Sequence, residues 1–208
     1  MDKKLNKIIK KKIISCSLAV LLCTSLSSCF FHNNPVNIYD LTESTKYDES
    51  VQRHIQLIIT EPITEKILNS EDIIVRSSPI EIQYLIGSQW SDKLPRMIQL
   101  KLIANFENNG KISTVVKPNQ GIYADYQIIY AIRSFEINID RHCAIITMSL
   151  KIINAHDNSL VGQKVFHVEE KLEKDNKLHF IQSLNRAFSR ISSEIIDWTL
   201  SSLPLSDN

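Results

Sequence analysis

Cys29 has the most reactive setting in the chain. The aliphatic Leu26 and the small Ser27 and Ser28 lead up to it. Small side chains let an extended backbone enter a peptidase cleft, and the Cys29 thiol is the nucleophile available there. Other candidates carry less. Among the six histidines (His32, His54, His142, His156, His167 and His179) no His-x-x-x-His or His-Glu-x-x-His pair occurs, so helix-borne zinc ligation has no support. Gly87-Ser88 is only a fragment of a nucleophile elbow. No Gly-x-x-x-x-Gly-Lys loop occurs, and four glycines leave few of the close backbone approaches that phosphate sites use. Glu169, Glu170 and Glu173 lie among Lys164, Lys171 and Lys174, a pattern that fits a solvated edge better than paired catalytic acids. Trp90 sits at a strand–helix junction, where packing is favoured over ligand stacking. The reading is a protein that is not an enzyme, with no catalytic residue, no metal and no bound cofactor.

The segment before Cys29 reads as an address. Six lysines (Lys3, Lys4, Lys7, Lys10, Lys11 and Lys12) oppose one acid, Asp2. Residues 13–26 are uncharged and apolar, which is signal-peptide length and short of the roughly 20 residues that span a bilayer. The tetrapeptide Leu26-Ser27-Ser28-Cys29 resembles the lipobox of bacterial lipoproteins. That resemblance implies cleavage between Ser28 and Cys29, a diacylglyceryl group on the Cys29 sulfur, and an acyl group on the new amino terminus. An uncut signal anchor is the alternative, because residues 13–31 are uncharged throughout. Two or more acyl chains hold a protein on a membrane without further hydrophobic elements.

Removing residues 1–28 leaves 180 residues, enough for one domain with a real core. The mature chain keeps 18 basic and 22 acidic residues, a net charge of about −4, with no basic stripe for nucleic acid. Cys16 and Cys23 leave with the signal. Cys143 is then the one free thiol, so no intrachain disulfide can form, and its apolar alternating run marks it as a buried hydrophobe. The expected organisation is a removed signal (1–28), a lipidated N-terminus and tether (29–52), one domain (53–203) and a tail (204–208). Residues 38–41 are apolar enough to dock on the domain.

Apolar alternation predicts strands at Ile55, Leu57 and Ile59, at Ile80, Ile82, Tyr84 and Ile86, and along residues 112–117. Residues 126–139, 144–152 and 160–168 predict an antiparallel meander. A helix is expected after Ser91 or Asp92, with Pro95 in its first turn and Gly110 past its end. The final helix is the clearest: Ile181, Leu184, Phe188, Ile191, Ile195 and Trp198 step by three and four. Asp175 or Asn176 can cap it. Its stripe suits the domain's own sheet, with a short coiled-coil seam as the alternative. The fold class expected is α+β: a mostly antiparallel sheet of six to seven strands with two long helices on one face.

In order and spacing these residues resemble the auxiliary lipoprotein component of ABC-type transport systems that carry mammalian-cell-entry (MCE) domain proteins. Three segments bear the likeness: Asp72-Ile73-Ile74-Val75-Arg76 with Gln89-Trp90-Ser91-Asp92-Lys93-Leu94-Pro95; Ala124-Asp125-Tyr126 through Ile132-Arg133-Ser134-Phe135-Glu136; and the hairpin over 154–162 before the last helix. Asn158-Ser159 replaces the Thr-Gly pair that the resemblance leads one to expect. It implies a non-catalytic partner of a periplasmic MCE protein, linked through it to an inner-membrane permease and an ATPase, with room for a homo-oligomer. Phe30, in place of an Asp retention signal, implies the outer membrane, facing the periplasm. A periplasmic lipid-binding carrier and a structural or assembly lipoprotein are the alternatives.

Overall fold

A computed structural model of the chain describes residues 35–43 and 53–204. Cys29, the lipobox and the expected signal peptide lie outside the described residues. The elements are β1 (Asn37–Tyr39), β2 (Arg53–Ile59), β3 (Ile63–Thr64), a 3₁₀ turn (Lys66–Leu68), β4 (Asp72–Ser78), β5 (Glu81–Trp90), α1 (Leu94–Asn109), β6 (Ile112–Val116), β7 (Tyr126–Asn138), β8 (Cys143–Asn154), β9 (Leu160–Lys171) and α2 (Lys177–Ser202).

One strand organises the sheet. β7 is rich in β-branched and aromatic residues, long, and paired on both edges. Along one edge β8 runs antiparallel to it, and β9 antiparallel to β8. Along the other edge three short strands follow one another, all parallel to β7. β2 meets it at Tyr126–Ile128, β3 at Ala131 and Ile132, and β4 at residues 136–138. β6 adds to β2, β5 to β4, and β1 to β5. The α+β class stands, with helices on a sheet, but the sheet is mixed and nine-stranded. The expectation of a mostly antiparallel sheet of six to seven strands is corrected. Alternation reports that a residue lies on a strand, not which strand lies beside it, so three parallel partners of β7 leave no trace in the local pattern.

Pairing parity assigns the two faces. Ile128, Tyr130, Ile132, Phe135 and Ile137 of β7 share a face with Ala144, Ile146, Met148, Leu150 and Ile152 of β8, and all are buried. The stripe of α2 covers them: Leu184, Phe188, Ile191 and Ile195 are buried, so it packs on its own sheet. Phe135 lies edge-on to Trp90 at 5.8 Å and tilted against Phe188 at 6.5 Å. Trp90 is therefore core. α1 lies over β2 and β6, with Leu94, Ile98, Leu102 and Phe106 buried and Gln99 donating to the Ile59 carbonyl at 2.9 Å.

The helix ends follow their sequence signals in part. Gly110 adopts φ +73° at the end of α1, and Asn176 accepts from the His179 amide at the start of α2. Neither Ser91 nor Asp92 caps α1; Lys93 occupies that position without a side-chain bond, and Asp92 pairs with Arg96 instead. Residues 37–43, expected within the tether, run against the domain. β1 pairs with β5, Leu41 is buried, Thr42 bonds Asn185, and Lys101 reaches both Asp40 and Glu43.

Where β4 joins β7, the faces away from the helices meet through an ion pair. Arg76 clasps Glu136 through Nε–Oε1 at 2.7 Å and Nη2–Oε2 at 2.9 Å. The Glu136 side chain is 8% exposed, and the clasp supplies hydrogen bonds to both of its oxygens. The carboxylate in turn holds the Arg76 guanidinium above its ordinary value. Replacing Arg76 with Met strands the carboxylate. We expect Arg76→Met to lower stability by about 3 kcal/mol in urea titration, and Arg76→Met with Glu136→Leu to recover most of that loss.

Candidate functional site

Two polar constellations stand out from the rest of the surface. The first lies at the end of the sheet where β7 begins. Asp125, just before β7, holds three segments together. Its amide donates to the Gln56 carbonyl at 2.9 Å, and its Oδ2 accepts from the Gln56 amide at 2.7 Å. Its carbonyl accepts from the Ala155 amide at 2.9 Å, and its Oδ1 lies 3.3 Å from His156 Nε2. The loop over 117–125 is thereby tied to β2 and to the β8–β9 turn. Within the loop the Lys117 amide donates to Gln120 Oε1 at 2.8 Å, and Asn119 and Gly121 both take left-handed φ, +66° and +74°. Such a loop can display side chains at fixed positions. It displays Tyr123, 93% exposed, beside Ile122. Ile58, Pro118, Ile122, Tyr123, Gln127 and His156 line an open groove of about 640 Å³.

The β8–β9 turn is built for the same end. The Asn154 and Asp157 carboxamide and carboxylate oxygens accept from the amides two residues on, His156 and Ser159, and Asn158 takes φ +59°. Asn158-Ser159, the departure noted in the sequence, thus supplies a left-handed residue that Asn tolerates. The Ser159 bonds hold the Asp157 carboxyl below its ordinary value.

The second constellation crosses the open face of the sheet, away from the helices. Ser134 Oγ donates to Thr147 Oγ1 at 2.8 Å, and Thr147 Oγ1 lies 2.8 Å from His167 Nδ1. His167 Nε2 lies 2.8 Å from Glu169 Oε1, and Arg141 Nη2 grips both Glu169 oxygens at 2.6 and 2.8 Å. The directions agree if Thr147 donates to Nδ1 and Nε2–H donates to Glu169, which is one neutral tautomer. Hydroxyl, imidazole and carboxylate in series have the order of a nucleophilic triad. Here, however, the chain lies flat in cross-strand register, Arg141 neutralises the acid, and the grooves described are lined by other residues. Its evident work is to zip three strands together. The His167 bond, followed by Arg141, holds the Glu169 carboxyl below its ordinary value of 4.5.

The remaining sequence candidates separate. Glu169 faces the open side, while Glu170 and Glu173 both pair with Arg186 on the helix side, so no acid pair forms. Among the described residues no group of three His, Cys, Asp or Glu side chains could hold a metal. Cys143 is buried, and burial pushes its thiol pKa up. His32, Leu26, Ser27, Ser28 and Cys29 lie outside the described residues. The sequence reading missed both the Asp125 junction and the Thr147–His167–Glu169 series. Ala124-Asp125-Tyr126 was conspicuous as a segment, but its meeting with Gln56 and Ala155 depends on tertiary register.

The chain matches the family model described as ABC-type transport auxiliary lipoprotein component over residues 39–196. An uncharacterized protein of Bradyrhizobium diazoefficiens is 28% identical over 148 residues; the match takes in 69% of this chain and 39% of that protein. A crystal structure of a Xanthomonas campestris protein, assigned to a family of unknown function, superposes with a TM-score of 0.74 at 24% identity, covering 80% of this chain and 96% of that one. A second crystal structure, of an uncharacterized protein, superposes at 0.64 with 16% identity, covering 80% and 99%. These two likenesses are likenesses of fold.

Two outcomes follow from the geometry. Asp125→Ala should speed hydrogen exchange at the Gln56 amide and cost about 1 kcal/mol, whereas Tyr123→Ala should leave stability within about 0.5 kcal/mol. His167→Gln should raise the Glu169 carboxyl pKa toward 4.5 in an NMR titration. A depressed carboxylate stabilises the fold above its unfolded value, and that stabilisation fades as pH falls through the folded value. The variant should therefore lose less stability on acidification.

Proposed function

We propose, since this chain belongs to the family of ABC-type transport auxiliary lipoprotein components, that it docks the periplasmic MCE conduit of such a transporter at the outer membrane and performs no catalysis itself. On this reading the precursor is cut between Ser28 and Cys29, and the lipid on Cys29 fixes the mature protein to the membrane facing the periplasm. The permease and ATPase act through the MCE protein. The domain contributes a shaped surface, and no cofactor beyond the covalent lipid is called for.

The observation that carries this reading is Tyr123 on its braced loop. A tyrosine 93% exposed stabilises nothing in its own domain. Aromatic side chains with few rotatable bonds are favoured anchors at protein interfaces, where they fill a partner pocket at small entropic cost. Asp125 fixes the loop in advance, which lowers the ordering cost of binding. Ile122 and Pro118 extend the apolar patch, and His156 with Gln127 gives it a polar rim.

The test is co-purification of the C-terminally tagged protein from its native cells in mild detergent, with partners identified by mass. An MCE-domain protein should be recovered. Tyr123→Glu should weaken that association by about 2 kcal/mol, roughly 30-fold in Kd, without changing the melting temperature. Recovery of unrelated envelope proteins alone would overturn the MCE reading. Undiminished recovery with Tyr123→Glu would move the interface elsewhere.

A further inference from the structure

The sequence gives β5 an amphipathic face that the fold does not cover. Ile80, Ile82 and Tyr84 alternate with Glu81 and Gln83, a pattern that ordinarily marks a buried side, and Leu85 and Ile86 follow. In the structure Ile82 is half-buried, but Ile80 is 96% exposed, Ile86 82% and Tyr84 50%. Pro79 and Ile80 form the tip of the β4–β5 hairpin. Leu178, 54% exposed, lies at the start of α2, whose Lys177 Nζ donates to the Ile86 carbonyl.

The register of β1 gives the direction in which the chain enters the sheet. β1 runs parallel to β5, with Asn37 beside Ser88 and Tyr39 beside Trp90. Followed backward from Asn37, the strand direction therefore leads along β5 toward the hairpin tip. Val36 and Ile38, 48% and 70% exposed, lie on this path. Cys29 precedes Asn37 by eight residues, and Ile80 precedes Ser88, its register partner, by the same eight. A fully extended chain of that length reaches at most ~29 Å. β5 is irregular between Tyr84 and Gln89, and eight of its steps face six of β4, so the hairpin beside the leash from Cys29 rises about 20 Å. With the strands upright on the membrane, a leash with about 9 Å of slack brings lipid onto the tip.

We infer that the tip of the β4–β5 hairpin, Ile80 with Tyr84 above it, rests in the lipid surface that holds the acyl chains of Cys29. This rests on the lipid-anchor reading above. The hairpin sets the orientation of the domain, which a single lipid attachment could not do. Ile80 at the tip enters the acyl boundary, and Tyr84, further along the strand, suits the headgroup level. The end bearing Tyr123 then faces away. β4 meets β7 near Asn138, while the β8–β9 turn meets it at Tyr126, twelve residues along, or about 40 Å.

The test uses the full lipidated protein in vesicles of phosphatidylethanolamine and phosphatidylglycerol. Ile80→Cys and Asn158→Cys each carry an environment-sensitive fluorophore, with the buried Cys143 left in place. Both sites lie on the surface, circular dichroism checks that the Asn158→Cys variant stays folded because a cysteine at its φ of +59° is strained, and Ile86→Cys serves as a second reporter. Intact mass reports the lipid on Cys29, and flotation reports membrane attachment. The expected result is blue-shifted emission at position 80, quenched by bilayer nitroxide lipids, with weaker quenching at 86 and none at 158. Lipid mass and flotation with no quenching at 80 or 86 would overturn the hairpin inference and leave the anchor standing. Quenching at 158 equal to that at 80 would overturn the upright orientation. Absence of the lipid mass would remove the anchor itself, and the inference with it.

Discussion

β7 is hydrogen-bonded along both edges, and the rest of the domain is arranged by that demand. A thirteen-residue strand presents more backbone than one short neighbour can satisfy. β8 matches it along one edge over its whole length. The other edge is shared by β2, β3 and β4 in turn, and each must arrive parallel and in register. Parallel neighbours need crossovers, and the segments between them supply these: the 3₁₀ turn between β3 and β4, and the excursion through β4, β5, α1 and β6 before β7 itself. The strand is pinned at both ends by carboxylates that reach across to another segment. Asp125 ties its start to β2 and to the β8–β9 turn, and Glu136 ties its far end to β4 through Arg76.

The helices respond to the same strand. Because β7 and β8 alternate in step, one face becomes a continuous apolar field, and α2 lays its stripe along it. Close approach requires a small residue beneath the largest side chain of the helix. Gly162 supplies it: a Cβ there would stand 3.2 Å from Trp198, which in turn lies edge-on to Phe166. Arg53, at the start of β2, donates to the Leu203 carbonyl at 2.9 Å, placing a cation where the helix leaves carbonyls unsatisfied. Strand and helix thus hold each other in place at the end opposite the hairpin.

Which parts were legible from sequence follows from the range of each signal. The stripe of α2, its Asn176 cap, Gly110 after α1 and the β7–β8–β9 meander are local patterns, and local patterns survive into the fold. β3, two residues long, has no period to read, and the parallel order of the sheet is set by crossovers rather than by alternation. The functional features were obscured for the same reason. Glu169 and Glu170 are neighbours in sequence and face opposite sides of the sheet. Glu169 and Arg141 are far apart in sequence and share a bidentate pair. β5 is the informative exception. Its alternation marks a strand, yet only Ile82 of the apolar set packs against the core, and Ile80, Tyr84 and Ile86 stay exposed.

That exception bears on how a domain without a described catalytic cleft can have a direction. Two of its groups of exposed apolar side chains lie at opposite ends of β7. At one end are the bare isoleucines of the hairpin; at the other is a lone tyrosine on a braced loop. The polar series across the open face lies between them, crossing from β7 to β8 to β9 and then running along β9 from His167 to Glu169. On the proposed reading as a connector, two surfaces must be kept apart at a fixed spacing, and a long strand paired on both edges is suited to that. In this domain the strand that organises the core is also the distance between the two exposed ends.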